Sequence, residues 1–218
     1  VVICGGGISG LIMAKSLIHL GLRVACIEKN KGQKQKNKNH DLRSTALLHP
    51  AVDFFKDIGI WQNFENQAQP LNSLVICNLN PKSGEIDSSC EFYAEDLGID
   101  TLGYNLPNKL IIEQLQKLTM ASKSFLYIEG DYVKYIKPRL FDVVIKTNKK
   151  IQIKSKLIIA ADGRYSNIRE ILKIKKLKYD YNQKALVFNI KHLFTHDSKS
   201  YQIYKSEGPC TLVPLKTK

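Results

Sequence analysis

Two short segments carry the residues that could do chemistry. The first is Gly5-Gly6-Gly7-Ile8-Ser9-Gly10, which fits G-x-G-x-x-G and is followed by Glu28, 18 residues after Gly10. Such a loop binds the pyrophosphate of a dinucleotide. Gly5 permits the tight turn, Gly7 lets the backbone approach the phosphates, and Gly10 allows a helix to pack closely on a strand. The helix that follows offers free N–H groups and the positive end of its dipole to an anion. Glu28 stands near the spacing of about 20 residues at which an acid accepts hydrogen bonds from ribose hydroxyls. Its charge disfavours a 2′-phosphate, and so NADP, at this site. The fingerprint alone leaves NAD and FAD both open. The second segment is Ala160-Ala161-Asp162-Gly163-Arg164-Tyr165-Ser166-Asn167-Ile168-Arg169. By itself it reads equally well as a strand-to-helix turn with Asp162 as a local cap. His19, His40, His49, His192 and His196 have no metal-like spacing, and no metal ligand is assigned. No Ser/His/Asp or paired-carboxylate set is present, and no catalytic residue is named.

The elements that must position these residues follow from hydrophobic patterning. Val1–Cys4 is a buried strand stopped by glycines. A helix follows from Ile8 to about Gly21, and Val24–Glu28 is the next strand. Strand, glycine turn, helix and strand within 28 residues open a parallel α/β sheet. Ala46–Ile58 and Asn108–Leu118 read as helices. Strands are expected at Ser73–Asn78, Cys90–Tyr93, Phe125–Ile128, Tyr132–Ile136, Phe141–Lys146, Ile151–Ile153, Lys156–Ala161, Ala185–Lys191 and Tyr201–Lys205, with a short helix at Ser166–Leu172. The α/β pattern occupies residues 1–70 and 104–174, and strands of a second sheet occupy 71–103 and 175–218. One domain is thus interleaved with another.

The chain has 218 residues, 44% of them hydrophobic and 24% charged, a globular composition able to bury a core. Its longest apolar runs fall far short of the ~20 residues of a spanning helix. Five cysteines at irregular spacing read as reduced thiols rather than a disulfide framework. The net charge is +13. Its densest run, Lys29, Lys31, Lys34, Lys36 and Lys38, reads chiefly as a solvated loop extending to His40. Without interleaved aromatics it lacks the stacking platforms of a single-strand binder, and no nucleic-acid partner is expected. Basicity would help a peripheral protein sit on an anionic membrane. The chain opens on Val1, so a few residues are expected to precede it.

Taken together, the glycine fingerprint and the A-D-G-x-x-S-x-x-R segment resemble the FAD-dependent aromatic hydroxylases related to p-hydroxybenzoate hydroxylase. Asp41-Leu42-Arg43-Ser44-Thr45-Ala46-Leu47 with Ile58-Gly59-Ile60-Trp61, Leu102-Gly103-Tyr104-Asn105-Leu106-Pro107-Asn108, and Gly208-Pro209-Cys210-Thr211-Leu212-Val213-Pro214-Leu215 are similar to segments of the ubiquinone-biosynthesis branch of that family. The resemblance implies an α/β fold. A Rossmann-like, glutathione-reductase-like FAD-binding domain would be interleaved with a mainly antiparallel β-sheet substrate domain. It implies FAD as cofactor, held by Gly5, Gly7, Gly10, Glu28, Arg43, Asp162 and Gly163, with Arg43 against the flavin or its pyrophosphate. NAD(P)H would reduce the flavin transiently. The activity implied is a monooxygenase hydroxylating a polyprenylated phenol. Such a substrate lives in the bilayer, which implies a cytoplasmic protein peripheral to the inner membrane or held in a ubiquinone-synthesis assembly. Another flavoenzyme of the same fold, such as a halogenase or a prenyl-lipid reductase, and a non-enzymatic basic binding module are the alternatives. Members of the family carry a second Gly-Asp segment after the substrate domain. Here Gly130-Asp131 comes before Asp162 and reads as a turn. The chain is therefore expected to be incomplete at its C-terminus.

Overall fold

The computed structural model describes residues 1–31 and 41–216. Of the lysine-rich loop, residues 32–40, including Lys34, Lys36 and Lys38, lie outside the described residues. In chain order the elements are β1 (Val2–Cys4), α1 (Ile8–His19), β2 (Val24–Glu28), β3 (Ser44–Leu48), α2 (His49–Asp57), β4 (Gln69–Leu71), β5 (Ser73–Leu79), β6 (Ile86–Tyr93) and β7 (Gly103–Pro107). They continue with α3 (Asn108–Met120), β8 (Phe125–Glu129), β9 (Val133–Pro138), β10 (Val143–Thr147), β11 (Gln152–Ser155), β12 (Ile158–Ala160), α4 (Asn167–Ile171), β13 (Lys199–Tyr204) and β14 (Cys210–Leu212). The chain divides into two compact units, residues 1–41 with 111–186 and residues 42–110 with 187–218.

The first unit is built on a parallel sheet in the order β12-β1-β2-β8. Parallel strands are buried on both faces, and that is why β1 and β2 are nearly continuous apolar runs. Side chains alternate between the faces. Ile3, Val24 and Cys26 pack with Ala14 of α1 on one face. Val2, Cys4, Ile27 and Ile128 pack on the other against Val133, Ile136, Val143 and Ile145, with Ile168 of α4. The covering layer there is the antiparallel sheet β11-β10-β9.

The second unit holds two sheets, β3-β7-β4 and β14-β13-β5-β6. All their pairings are antiparallel except β13 with β5. Val52 and Phe55 of α2 are buried there, with Phe55 tilted against Phe64 at 5.5 Å and Trp61 against Tyr104 at 5.0 Å. A parallel α/β sheet and a mainly antiparallel sheet unit, interleaved along the chain, are the fold class the sequence implied.

Several features differ from the sequence reading, among them the short strands β4, β7 and β14, which it did not expect. Residues 46–48 belong to a strand and not to the helix expected over Ala46–Ile58, because β3 pairs with β7 through Ala46↔Asn105 and Leu47↔Tyr104. Pro50 sits in the first turn of α2, where its fixed φ and missing N–H are tolerated. The strand expected at Ala185–Lys191 does not form. Leu186, Val187, Phe188 and Ile190 are exposed, and an unpaired segment has no ladder to hold it extended. The compact units also do not divide at 70/71 and 103/104. Residues 42–70 and 104–110 lie with the second unit, since β3, β4 and β7 form one sheet.

Candidate functional site

Gly5 leaves β1 with φ +109°, a conformation L side chains rarely adopt. Its N–H donates to the Ile27 carbonyl at 2.8 Å. A Cβ at Gly5 would lie 2.6 Å from the Ala161 carbonyl carbon and 2.9 Å from Asp162 Cα. The turn out of β1 is thus pressed against the turn out of β12. Gly10, in the first turn of α1, is buried, and a Cβ there would collide with the Gly5 carbonyl. Gly7 is the opposite case. It is the N-cap of α1, makes no side-chain cap, is exposed, and a Cβ on it would meet nothing within 4 Å. The first turn of a helix has N–H groups without intrahelical partners, and here they open where the backbone can be approached.

Glu28 ends the neighbouring strand. Its Oε2 accepts from the Gly6 N–H at 2.6 Å and its Oε1 from the Asn30 N–H at 2.8 Å. A carboxylate has about four lone-pair sites, so hydroxyl donors can still be accepted beside these bonds. Tyr127, paired with Cys26 across β2–β8, stands behind the loop. A Cβ on Gly6 would fall 2.6 Å from its hydroxyl. Burial, then the neighbouring Cys26 and Glu28, push the Tyr127 phenol up to about 12.

Asp162 and Gly163 follow β12. Asp162 accepts from the Ser166 hydroxyl at 2.5 Å and the Ile168 N–H at 3.1 Å, while Ser166 caps α4 by accepting from the Arg169 N–H at 3.1 Å. The carboxylate therefore fixes the turn leading into α4. Gly163 has φ +79° and open space beside it.

These groups line one cleft of about 320 Å³ in the first unit. Gly5, Gly7, Glu28, Asp162 and Gly163 are on its wall, and Gly10 is packed beneath Gly5. Arg43 is not among the lining residues. It immediately precedes β3 in the second unit, exposed, and its carbonyl accepts from the Asn108 N–H at 3.0 Å. The wall also contains Asp131, Tyr132, Val133, Tyr165 and Asn167, none of which the sequence assigned to the cofactor site. Gly130-Asp131 is indeed a turn, but it is a turn at the cleft. The Asp131 N–H donates to the Glu28 carbonyl at 3.0 Å, and Oδ1 accepts from the N–H groups of Tyr132 at 2.8 Å and Lys149 at 3.2 Å. Burial raises the Asp131 carboxyl, but bonds from the Thr147 hydroxyl and those two N–H groups outweigh it and hold it below its ordinary value. The signal that could have found it is the Gly-Asp turn after a strand that pairs in register with Glu28 through Glu129.

The cleft fits the dinucleotide half of a flavin cofactor: an open helix N-terminus for the pyrophosphate, a carboxylate for ribose, and a glycine where a side chain would obstruct. Residues 1–125 match the family model described as FAD binding domain. The chain belongs to that FAD-binding family. The full chain is also similar to ubiquinone hydroxylase UbiM of Neisseria meningitidis, at 27% identity over 99% of this chain and 47% of that protein. It resembles 3-demethoxyubiquinol 3-hydroxylase of Escherichia coli at 24% identity over 99% of this chain and 54% of that protein. The chain spans about half the length of the curated relatives it matches. Among solved structures, PqsL of P. aeruginosa in complex with 2-aminobenzoylacetate shares the fold, with a TM-score of 0.75 and 15% identity over 99% of this chain and 57% of that one. The flavin-dependent monooxygenase PieE, in complex with FAD and substrate, aligns with a TM-score of 0.66 and 20% identity over 80% of this chain and 32% of that one. Among the described residues no cluster of side chains could hold a metal ion, and no helix is long and apolar enough to cross a membrane.

Proposed function

We propose that the chain supplies the FAD-binding part, and part of the substrate domain, of an NAD(P)H-using monooxygenase that hydroxylates a polyprenylated phenol in ubiquinone biosynthesis. The observation that carries the flavin site is the open N-terminus of α1 at Gly7, set beside Glu28 on the adjacent parallel strand. The similarity to ubiquinone hydroxylases supports the substrate class. In this reading Gly5 and Gly10 shape the loop, Gly7 admits the pyrophosphate, and Glu28 accepts from ribose hydroxyls. Asp162 and Gly163 form the opposite wall, and Arg43 supplies a guanidinium to the flavin or its pyrophosphate. FAD, when bound, supplies the redox and oxygen-activating chemistry. The protein binds and orients it and keeps water from the reacting centre. The first unit carries the nucleotide and the second the phenol. A substrate with a prenyl tail places the protein at a membrane surface, on the cytoplasmic side of the inner membrane.

The test is a flavin fluorescence titration of the 218-residue chain. Saturable quenching of FAD is expected, weakened roughly tenfold by Glu28→Gln, because a charged acceptor is exchanged for a neutral one. Absence of quenching, or an unchanged Glu28→Gln, refutes the cofactor site. Turnover of a prenylphenol with NAD(P)H should add one oxygen atom to the product. A halogenated product, or a saturated prenyl tail, would instead assign another flavoenzyme of this fold.

A further inference from the structure

We infer that the hairpin of β9 and β10 is a membrane-docking finger for an anionic phospholipid bilayer. Residues 139–142 join the two strands, and the turn is closed by the Arg139 N–H donating to the Asp142 carbonyl at 2.8 Å. At its tip stand Leu140 and Phe141, 88% and 83% exposed. Adjacent large apolar side chains so exposed are costly in water unless something covers them.

The surroundings of the tip indicate what that is. The turn and the strands of its sheet carry Lys134, Lys137, Arg139, Lys146 and Lys154 against one acid, Asp142, while Lys149 and Lys150 lie in the turn at the opposite end of β10. Asp142 is neutralised locally by Lys154 at 3.1 Å and Arg139 at 3.9 Å. Strand register divides these residues between two faces. Ile136, Ile145 and Ile153 are directly opposite one another and turn toward the core. On the outer face Lys137 and Lys154 flank a buried Val144 in the row nearer the tip, and Tyr135, Lys146 and Gln152 form the row on the far side of the isoleucines. The sheet thus presents a basic outer face behind an apolar tip.

Magnitude separates a bilayer from a protein partner. A stable protein interface buries about 800 Å² on each side. Two side chains offer roughly 300 Å². That is too little for a protein interface, but enough for shallow insertion at the headgroup boundary, where each nearby lysine adds attraction to anionic lipid. Long lysine stems also let the ammonium groups reach headgroups while the tip goes deeper. The inference names the surface for the membrane contact proposed above and rests on that reading for its partner. It does not depend on the flavin cleft: of the finger's residues only Val133, at the end of β9 away from the tip, lines it.

The experiment is co-sedimentation of the full chain with vesicles of phosphatidylglycerol mixed into phosphatidylcholine, and with phosphatidylcholine vesicles alone. Binding is expected to the anionic vesicles and to weaken with salt. Leu140→Ser combined with Phe141→Ser should reduce it about tenfold, with unchanged flavin binding as the check on folding. The tryptophan introduced by Phe141→Trp should shift its emission to the blue on anionic vesicles, above the background of the buried Trp61. Undiminished binding by the double variant would overturn the finger and leave membrane contact standing on another surface. No binding by the parent chain to either vesicle would overturn both.

Discussion

Gly7 and Gly10 are three residues apart in one motif, yet the structure predicts opposite responses to substitution. In Gly10→Ala the new methyl meets the Gly5 carbonyl, with the Gly5 carbonyl carbon only 3.0 Å from the Cβ position. This neighbour is backbone, held by the Gly5 N–H bond to Ile27, so it cannot swing aside as a side-chain end would. Overpacking of this kind costs about 1–3 kcal/mol. Replacing a helical glycine returns about 0.5–1 kcal/mol. The clash with rigid backbone puts the cost at the upper end of that range, so a net loss of about 2 kcal/mol remains, or roughly 4–8 °C in Tm for a chain of this size. In Gly7→Ser the side chain enters open space at an N-cap, where serine is favoured over glycine by a few tenths of a kcal/mol. Its Tm should be unchanged or slightly raised. Its hydroxymethyl group, however, occupies the approach to the helix N-terminus, and FAD affinity should fall about tenfold. Thermal melts by circular dichroism and flavin fluorescence titrations read the two effects separately. A Gly10→Ala chain as stable as its parent would refute the packing argument. A Gly7→Ser chain that binds FAD as tightly as its parent would refute the open approach.

Two further expectations concern ionisation. Glu91 accepts from Lys199 at 2.8 Å and from the Ser73 hydroxyl at 2.9 Å, and these bonds, Lys199 first and Tyr93 next, hold its carboxyl down to about 2. A depressed folded pKa stabilises the fold above the ordinary 4.5 and loses that contribution as pH falls from there toward 2. An NMR titration of Glu91 should show this low midpoint, and Lys199→Met should move it upward; an ordinary midpoint in the parent chain refutes the cluster. Burial first, then the charge of Asp162 for Cys4 and of Glu28 for Cys26, pushes both thiols up to about 12. At mild alkaline pH iodoacetamide should therefore label exposed Cys90 first and leave Cys4 and Cys26 untouched until the chain is unfolded, as read by mass spectrometry. Early labelling of Cys4 or Cys26 would contradict the burial.

What the sequence made legible was local. Val24–Glu28 is apolar except at its last residue, and it forms the strand read from it. The glycine fingerprint is local as well, since turn, cap and helix lie within a few residues. Ala46-Leu47-Leu48 is good helix-forming sequence, and only the pairing with Gly103–Pro107 makes it a strand. Pro50 marked the true helix start and was readable. Ala185–Lys191 has strand composition without a strand partner. At the cleft, Gly130-Asp131 was legible as a turn, but its place at the site, with Tyr132, was not, because that depends on β8 lying beside β2, a pairing between segments about 100 residues apart. Composition cannot report such a neighbour.

The parallel sheet also has a consequence in time. β1 leaves the ribosome well before its partner β12, which begins at Ile158. At roughly 5–20 residues per second, synthesis separates the two by about 8–30 s. Through that interval Val2–Cys4 can pair only with β2, and the edge meant for Ile158–Ala160 stays open. The turn at Gly5 meanwhile lacks the Ala161 backbone against which it is pressed in the finished fold. The nucleotide loop is thus synthesised about 150 residues before the strand that completes it. A nascent chain stalled before Ile158 would expose an apolar strand edge, the kind of surface that chaperones hold and that aggregation recruits.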